Sequence, residues 1–272
     1  MALRTVLPPQ SDSHQVWKLA LETAQETLIR SQTERAQIEA AVCALDAKFD
    51  QNGVVQRSIL AQGWHGFDMP QALRDGLNIR MARAASRIIC ESWGEERFGA
   101  LREADNWLYL HVGETLGAVA KTASSTRYEP DWAEICVERD GALGSSGRRG
   151  TLEAYCTSGN FLARAASYGI TVAGASEVWA QSDGNFAARS LCEDYVRRLA
   201  QGIGVAATLL CPTRIVVGGS LPETLGEKLL QPLHSSLREF CDVSPALTLT
   251  KTQLARDGAV WGSVALAMQG TT

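Results

Sequence analysis

The chain lacks any apolar run long enough to span a membrane, and its N-terminus lacks the basic-then-apolar pattern of a secretory signal. It has little metal-binding or redox signature. Its seven cysteines (Cys43, Cys90, Cys136, Cys156, Cys192, Cys211 and Cys241) include no C-x-x-C pair and sit mostly in apolar surroundings. That is the usage of small buried hydrophobes in a reducing compartment. The four histidines (His14, His65, His111 and His234) are isolated, with no pair at metal-ligand spacing. Positive charge is not in excess either. Lys and Arg number 26 against 30 Asp and Glu, for a net charge of −4 and a pI near 5.7, so the chain presents no nucleic-acid surface of its own. These absences point to a cytoplasmic protein without a membrane segment.

What is present is length and alternation. The 272 residues suffice for one large or two modest domains. Ser11, Asp12 and Ser13 offer helix caps after a Pro-Pro break, and apolar residues from His14 to about Ala36 recur at helical spacing. The run IEAAVCALDAKFD then leads to a turn at Asn52-Gly53, beside which Asp46 and Asp50 read as solvated turn residues. Met69-Pro70 starts a helix, since proline fits the first helical position. Residues 107–120 read as two β-rich runs around Val112-Gly113-Glu114-Thr115. A long amphipathic helix from Ala187 to about Leu210 precedes a buried strand, Ile215-Val216-Val217, and a Gly218-Gly219 turn. Strands alternating with helices give an α/β protein.

The stretch from Pro130 to Glu153, PDWAEICVERDGALGSSGRRGTLE, is the most distinctive. Its Gly/Ser-rich centre, 144–150, has little side chain to bury and is expected to be loose unless something pins it. The spacing resembles the sugar-site and zinc segment of the ROK family (repressor, open reading frame, kinase): G-E-x-G-H, about ten residues, then C-x-C-G-x-x-G-C-x-E. Without a gap, Asp131 falls on the family's sugar-binding Glu and Glu134 on the His that binds sugar and zinc. Gly144, Ser146 and Thr151 fall on the three cysteines, while Gly147, Gly150 and Glu153 match. A tetrahedral zinc site needs four N or S ligands, so no structural zinc is expected.

The resemblance continues along the chain. Residues 58–80 resemble the entry to the family's sugar pocket; Trp64 and Asp68 hold its frame, with Trp64 a candidate for stacking on a sugar although such a Trp is more often core, and Ala61 replaces the sugar-binding Asn. The family's catalytic N-D-A-x-A-A-x-x-x-E, placed straight after a strand, falls on Ala82 to Glu91. Ala84 and Glu91 match, and Arg83 replaces the Asp that deprotonates the sugar hydroxyl. A guanidinium cannot accept that proton. Of the phosphate-cradling hairpin G-T-G-x-G, Gly113 and Gly117 remain beside Glu114 and Thr115; Gly218 and Gly219 match the pair that approaches the adenosine. Asp257, Gly258, Ala259 and Gly262 hold the final helix pattern. Nothing in residues 1–40 resembles the superfamily's D-x-G-x-T or the helix-turn-helix of family repressors.

The resemblance implies an actin-like ATPase or ribonuclease-H-like fold of two lobes, residues 1–104 with a shortened first lobe and 105–272 closed by a C-terminal helix returning toward the first. It implies a non-catalytic protein, a sugar- or metabolite-sensing or interaction domain of a transcriptional regulator. The alternatives are an ATP-dependent, glucokinase-like hexose kinase and a scaffold or oligomerisation subunit. The family would use ATP, Mg²⁺ and structural zinc; with its motifs altered, no cofactor, catalytic residue or metal site is expected here. Asp131, Glu134, Arg83 and Trp64 would line a pocket for a sugar or an anionic metabolite. A homo-oligomer is expected, without direct DNA binding unless a helix-turn-helix domain lies upstream.

Overall fold

The computed structural model describes residues 3–5, 12–58, 63–124, 127–242 and 247–269. The Pro-Pro break, Ser11 and Ala61 lie outside them. The chain forms two compact units, Met1–Gly94 with Ala259–Thr272, and Glu95–Gly258. The boundary therefore falls at Gly94/Glu95 rather than after residue 104, and the C-terminal helix counts with the first unit. The physical reason is local bonding. The Arg214 guanidinium donates to the carbonyls of Ala100 and Arg102, and the Glu95 carboxylate accepts from the amides of Gln253 and Leu254.

In the first unit, α1 (Ser13–Arg30) starts at Asp12, whose carboxylate accepts from the Gln15 amide in a capping box. It stops short of Ala36; residues Arg35–Gln37 form a separate 3₁₀ turn. Strands β1 (Ala40–Leu45), β2 (Ala47–Phe49) and β3 (Val55–Ser58) follow. The Asp50 carboxylate accepts from the amides of Asn52 and Val54, closing the turn between β2 and β3. Helix α2 (Met69–Leu77) begins as its sequence dictates, with Asp68 accepting from the Gln71 amide, Pro70 in the first turn, and Asn78 in the left-handed region at its end. It buries Met69, Pro70, Leu73 and Leu77. Strand β4 (Met81–Ser86) pairs in parallel with β1, from Ala40 opposite Met81 to Leu45 opposite Ser86. Helix α3 (Arg87–Phe98) leaves directly from its end.

The second unit is built on a five-stranded sheet of order β7-β6-β5-β8-β9. Its members are β5 (Trp107–Val112), β6 (Leu116–Lys121), β7 (Arg127–Tyr128), and, after helices α4 (Glu153–Cys156), α5 (Ser158–Ser167), α6 (Ala175–Gln181) and α7 (Phe186–Leu210), strand β8 (Arg214–Gly218). Helices α8 (Ser220–Leu225) and α9 (Glu227–Leu237) precede β9 (Thr248–Lys251), and α10 (Gly258–Met268) ends the described chain. β5, β8 and β9 run parallel, and β6 runs antiparallel to both of its neighbours, β5 and β7. Every residue of β5 is buried, as its apolar run WLYLHV requires of a strand covered on both faces. Asn185 caps α7 by accepting from the amides of Ala187 and Ala188. Phe161, Trp179 and Tyr195, from three helices, pack with ring centroids 4.9–5.2 Å apart at the centre of this core.

Candidate functional site

In the first unit the candidate site is the junction of β4 and α3. Ala82 and Arg83 lie inside the strand, opposite Ala41 and Val42, so they do not follow a strand. The strand ends at Ser86. Placed straight after the strand, as the resemblance implies, the ten-residue frame would run without a gap from Ser86 to Glu95 and would put Arg87 rather than Arg83 at the position of the family's base. Arg83 is exposed on β4.

Arg87 is held on two sides. Its Nε lies 2.8 and 2.9 Å from the two carboxylate oxygens of Asp46, and its Nη1 2.7 Å from Glu91 Oε1. Burial opposes the guanidinium's charge, but Glu91 and Asp46 outweigh it and hold the pKa above its ordinary value. A group so placed donates hydrogen bonds and cannot take a proton from a hydroxyl. Asp46 is thus an ion-pair partner, not a solvated turn residue. The motif's final acid, Glu95, is fully buried and accepts from the Thr252 hydroxyl and the amides of Ala100, Gln253 and Leu254. Trp64, named for stacking on a sugar, is 2% exposed and packs edge-on against Phe67 with centroids 5.1 Å apart. It is a core side chain of this unit and offers no open ring face.

In the second unit, the loop between Asp131 and Glu153 is pinned by its own hydrogen bonds. Asp131 is exposed at the start of a 3₁₀ turn, Trp132–Glu134, which is anchored by the buried Trp132 indole donating to the Gly202 carbonyl. The Ser146 hydroxyl donates to Glu134 at 2.7 Å, with the Arg148 guanidinium 3.7 Å away. The Ser145 amide donates to the Glu153 carboxylate at 3.0 Å, and the Gly144 amide to the Arg148 carbonyl at 2.8 Å. Gly150 has a φ of +69°, and a Cβ there would lie 1.6 Å from the Glu138 carbonyl oxygen, so only glycine fits. Two of the positions matching the family's zinc ligands, Glu134 and Ser146, thus bond directly to each other. Among the described residues no group of three or more His, Cys, Asp or Glu side chains is arranged to hold a metal.

A second polar cluster backs this loop. Arg198, buried on α7, lies 2.7 Å from Asp194 and 2.9 Å from Glu138, with its guanidinium carbon 3.8 Å from the centre of the Tyr155 ring. Tyr155 donates to Glu138 and accepts from the Ala142 amide. Arg164 and Arg197 also reach Asp194, at 2.6 and 2.8 Å. Burial alone would raise the Asp194 pKa, but the hydrogen bonds from Arg198, Arg164 and Arg197 outweigh it and hold the carboxyl below its ordinary value. Asp194 and Arg198, four apart on α7, are linked by helical spacing, but no spacing rule in the sequence links them to Glu138 and Tyr155, nor Asp46 to Arg87.

The four glycines that match the family's nucleotide loops in the resemblance also lie in this unit. Gly113 opens the turn between β5 and β6, with Glu114 exposed at its tip, and Gly117 stands opposite His111. Gly218 ends β8, and Gly219 follows with a φ of +104°. The structure brings the two glycine turns together. A Cβ on Gly219 would lie 2.3 Å from the Val112 carbonyl oxygen, and one on Gly113 would lie 3.1 Å from the Ser220 hydroxyl. The Gly113 carbonyl also accepts from the Ser158 amide at 2.8 Å, at the start of α5.

Comparison with known proteins identifies the fold. The fold matches a ROK hexokinase from Thermus thermophilus with a TM-score of 0.80 at 16% identity, covering 98% of this chain and 90% of that one. A ROK family glucokinase from Streptomyces griseus, solved with glucose and AMPPNP, matches with a TM-score of 0.78 at 18% identity over 97% and 90%. A ROK family transcriptional regulator, a homologue of the E. coli MLC protein, matches with a TM-score of 0.81 at 16% identity over 96% and 70%. Such likeness shows the actin-like, ribonuclease-H-like fold. Comparison with functionally characterised sequences yields no match. The ROK family model matches residues 5–270, and the chain belongs to the ROK family.

Proposed function

We propose that this chain is a non-catalytic ROK protein, a sugar- or metabolite-sensing or interaction domain of a transcriptional regulator. The observation that carries this reading is Arg87. At the end of the strand where the family places its base, a permanently protonated side chain is fixed between Asp46 and Glu91. Transfer of a phosphoryl group to a sugar needs an acceptor for the hydroxyl proton, and Arg87 cannot be one. The exposed Glu114 beside Gly113 supports the same reading, since a carboxylate there opposes phosphate.

What remains suited to a ligand is polar. Asp131 and Glu134 stand at the family's sugar-binding positions, and Glu134 is already oriented by Ser146. Neutral sugars are therefore the expected ligand class, and a regulator among the fold's relatives supports a sensing role. A thermal-shift panel of hexoses, amino sugars and sugar acids tests this. The expected result is a rise in Tm with at least one of them that is lost on Asp131→Ala. No shift with any compound would remove the sensing role.

A further inference from the structure

Strands β1 and β4 form a sheet by themselves, a parallel pair of six register positions. Parallel sheets ordinarily have more strands and covered edges. The backbone groups of Ala40 to Leu45 bond to β4 on one side, and among the described residues no other backbone partner is found for them. All six side chains, AAVCAL, are half-buried. This edge carries none of the devices that usually blunt one: no charge, no proline and no glycine within the strand. Its neighbour β4 differs, since Arg83 sits exposed near its middle.

We propose that the edge of β1 facing away from β4, unpaired among the described residues, is a strand-addition site for another polypeptide, one that contributes an extended segment apolar at its centre and basic at one end. The backbone amides and carbonyls of residues 40–45 would supply the hydrogen bonds, and the half-buried Val42, Cys43 and Leu45 the apolar contact. Charge selects the partner. Glu39, exposed, stands immediately before the strand, and Asp46 immediately after it. Asp46 is already neutralised by Arg87, so Glu39 is the end left for a basic residue. A second copy of this chain fits poorly. Pairing of Ala40–Leu45 with itself sets Glu39 opposite Asp46 when antiparallel and opposite Glu39 when parallel in register, so neither arrangement brings a basic residue to Glu39.

The test uses a fluorescein-labelled peptide with alternating valine and threonine between terminal lysines, titrated into the full chain by fluorescence anisotropy. Amide hydrogen exchange over residues 40–45 is followed in parallel. The proposal expects saturable binding, slowed exchange of those β1 amides that point away from β4, and weakening by about tenfold on Glu39→Lys, a surface change that leaves folding intact. A version of the peptide with a central proline should not bind, because it lacks the ladder amide. Binding without protection of residues 40–45, or slow exchange of all six amides in the chain alone, would overturn the proposal. So would light scattering that shows a dimer dispersed by Ala44→Lys, which would make a second copy the occupant.

Discussion

The two units solve the same problem of burial very differently. In Glu95–Gly258, a five-stranded sheet is covered so fully that β5 has no exposed residue, and Phe161, Leu199 and Ile203 are wholly enclosed. In Met1–Gly94 with the C-terminal helix, α1 has no fully buried side chain and the six residues of β1 are all half-buried. The second unit relies on apolar packing plus the Arg198 cluster. The first relies on a smaller core around Trp64, Met69 and Leu73, and carries a charged triad, Asp46–Arg87–Glu91, at the start of α3, the place we propose corresponds to a kinase's base. Stability and chemistry therefore respond to substitution in different places.

The largest expected contrast is in packing. Phe161→Ala should cost about 3–5 kcal/mol of unfolding free energy, whereas Val42→Ala on β1 should cost roughly 1 kcal/mol or less. Urea unfolding of the two variants measures both; equal losses would erase the distinction between the units. Next is Arg87→Asp, which sets a third carboxylate between Asp46 and Glu91. It should destabilise the protein by about 2–4 kcal/mol without creating a kinase, since a base at that position needs a nucleotide site as well.

Arg198→Met comes third, at about 1–3 kcal/mol near neutral pH, since Asp194 keeps Arg164 and Arg197 as partners. Its pH dependence is specific. Asp194 has its folded-state pKa lowered, so the stability it contributes is present above its ordinary pKa of 3.8 and is lost as pH falls below that value. The gap between the parent and the variant should therefore narrow on acidification, and a gap that widens would assign Arg198 a different role. The smallest effect expected is Ser146→Ala, about 1 kcal/mol, with a Tm that a zinc chelator leaves unchanged in both parent and variant.

Much of this architecture was written in local signals. Asp68 with Met69-Pro70 set the start of α2, Asn185 and its amphipathic run set α7, and Ile215–Val217 set β8. The register of MARAASRIICE was not, because alanine and arginine favour a helix by intrinsic propensity while pairing with β1 holds Met81–Ser86 extended. With the frame set after the strand, Arg87 takes the place of Arg83, and the chemistry of the replacement is the same. Trp64 illustrates another limit: a Trp beside Gly63 and Gly66 has the same sequence appearance whether it lines a pocket or, as here, fills a core. What pins the 144–150 loop is not legible in the sequence, because its anchors, Glu134 with Ser146 and Glu153 with Ser145, join residues eight to twelve apart that no helical or strand period connects.

The central claim, that Arg87 stands in for a base and ends phosphoryl transfer, is tested most directly by hexose-dependent ADP release. With ATP, Mg²⁺ and glucose, mannose or their N-acetylated amino sugars, the account predicts release no faster than without sugar. Turnover that depends on a sugar, and that is lost when Arg87 is left intact but the Gly113 turn is disrupted by Gly113→Val, would contradict it.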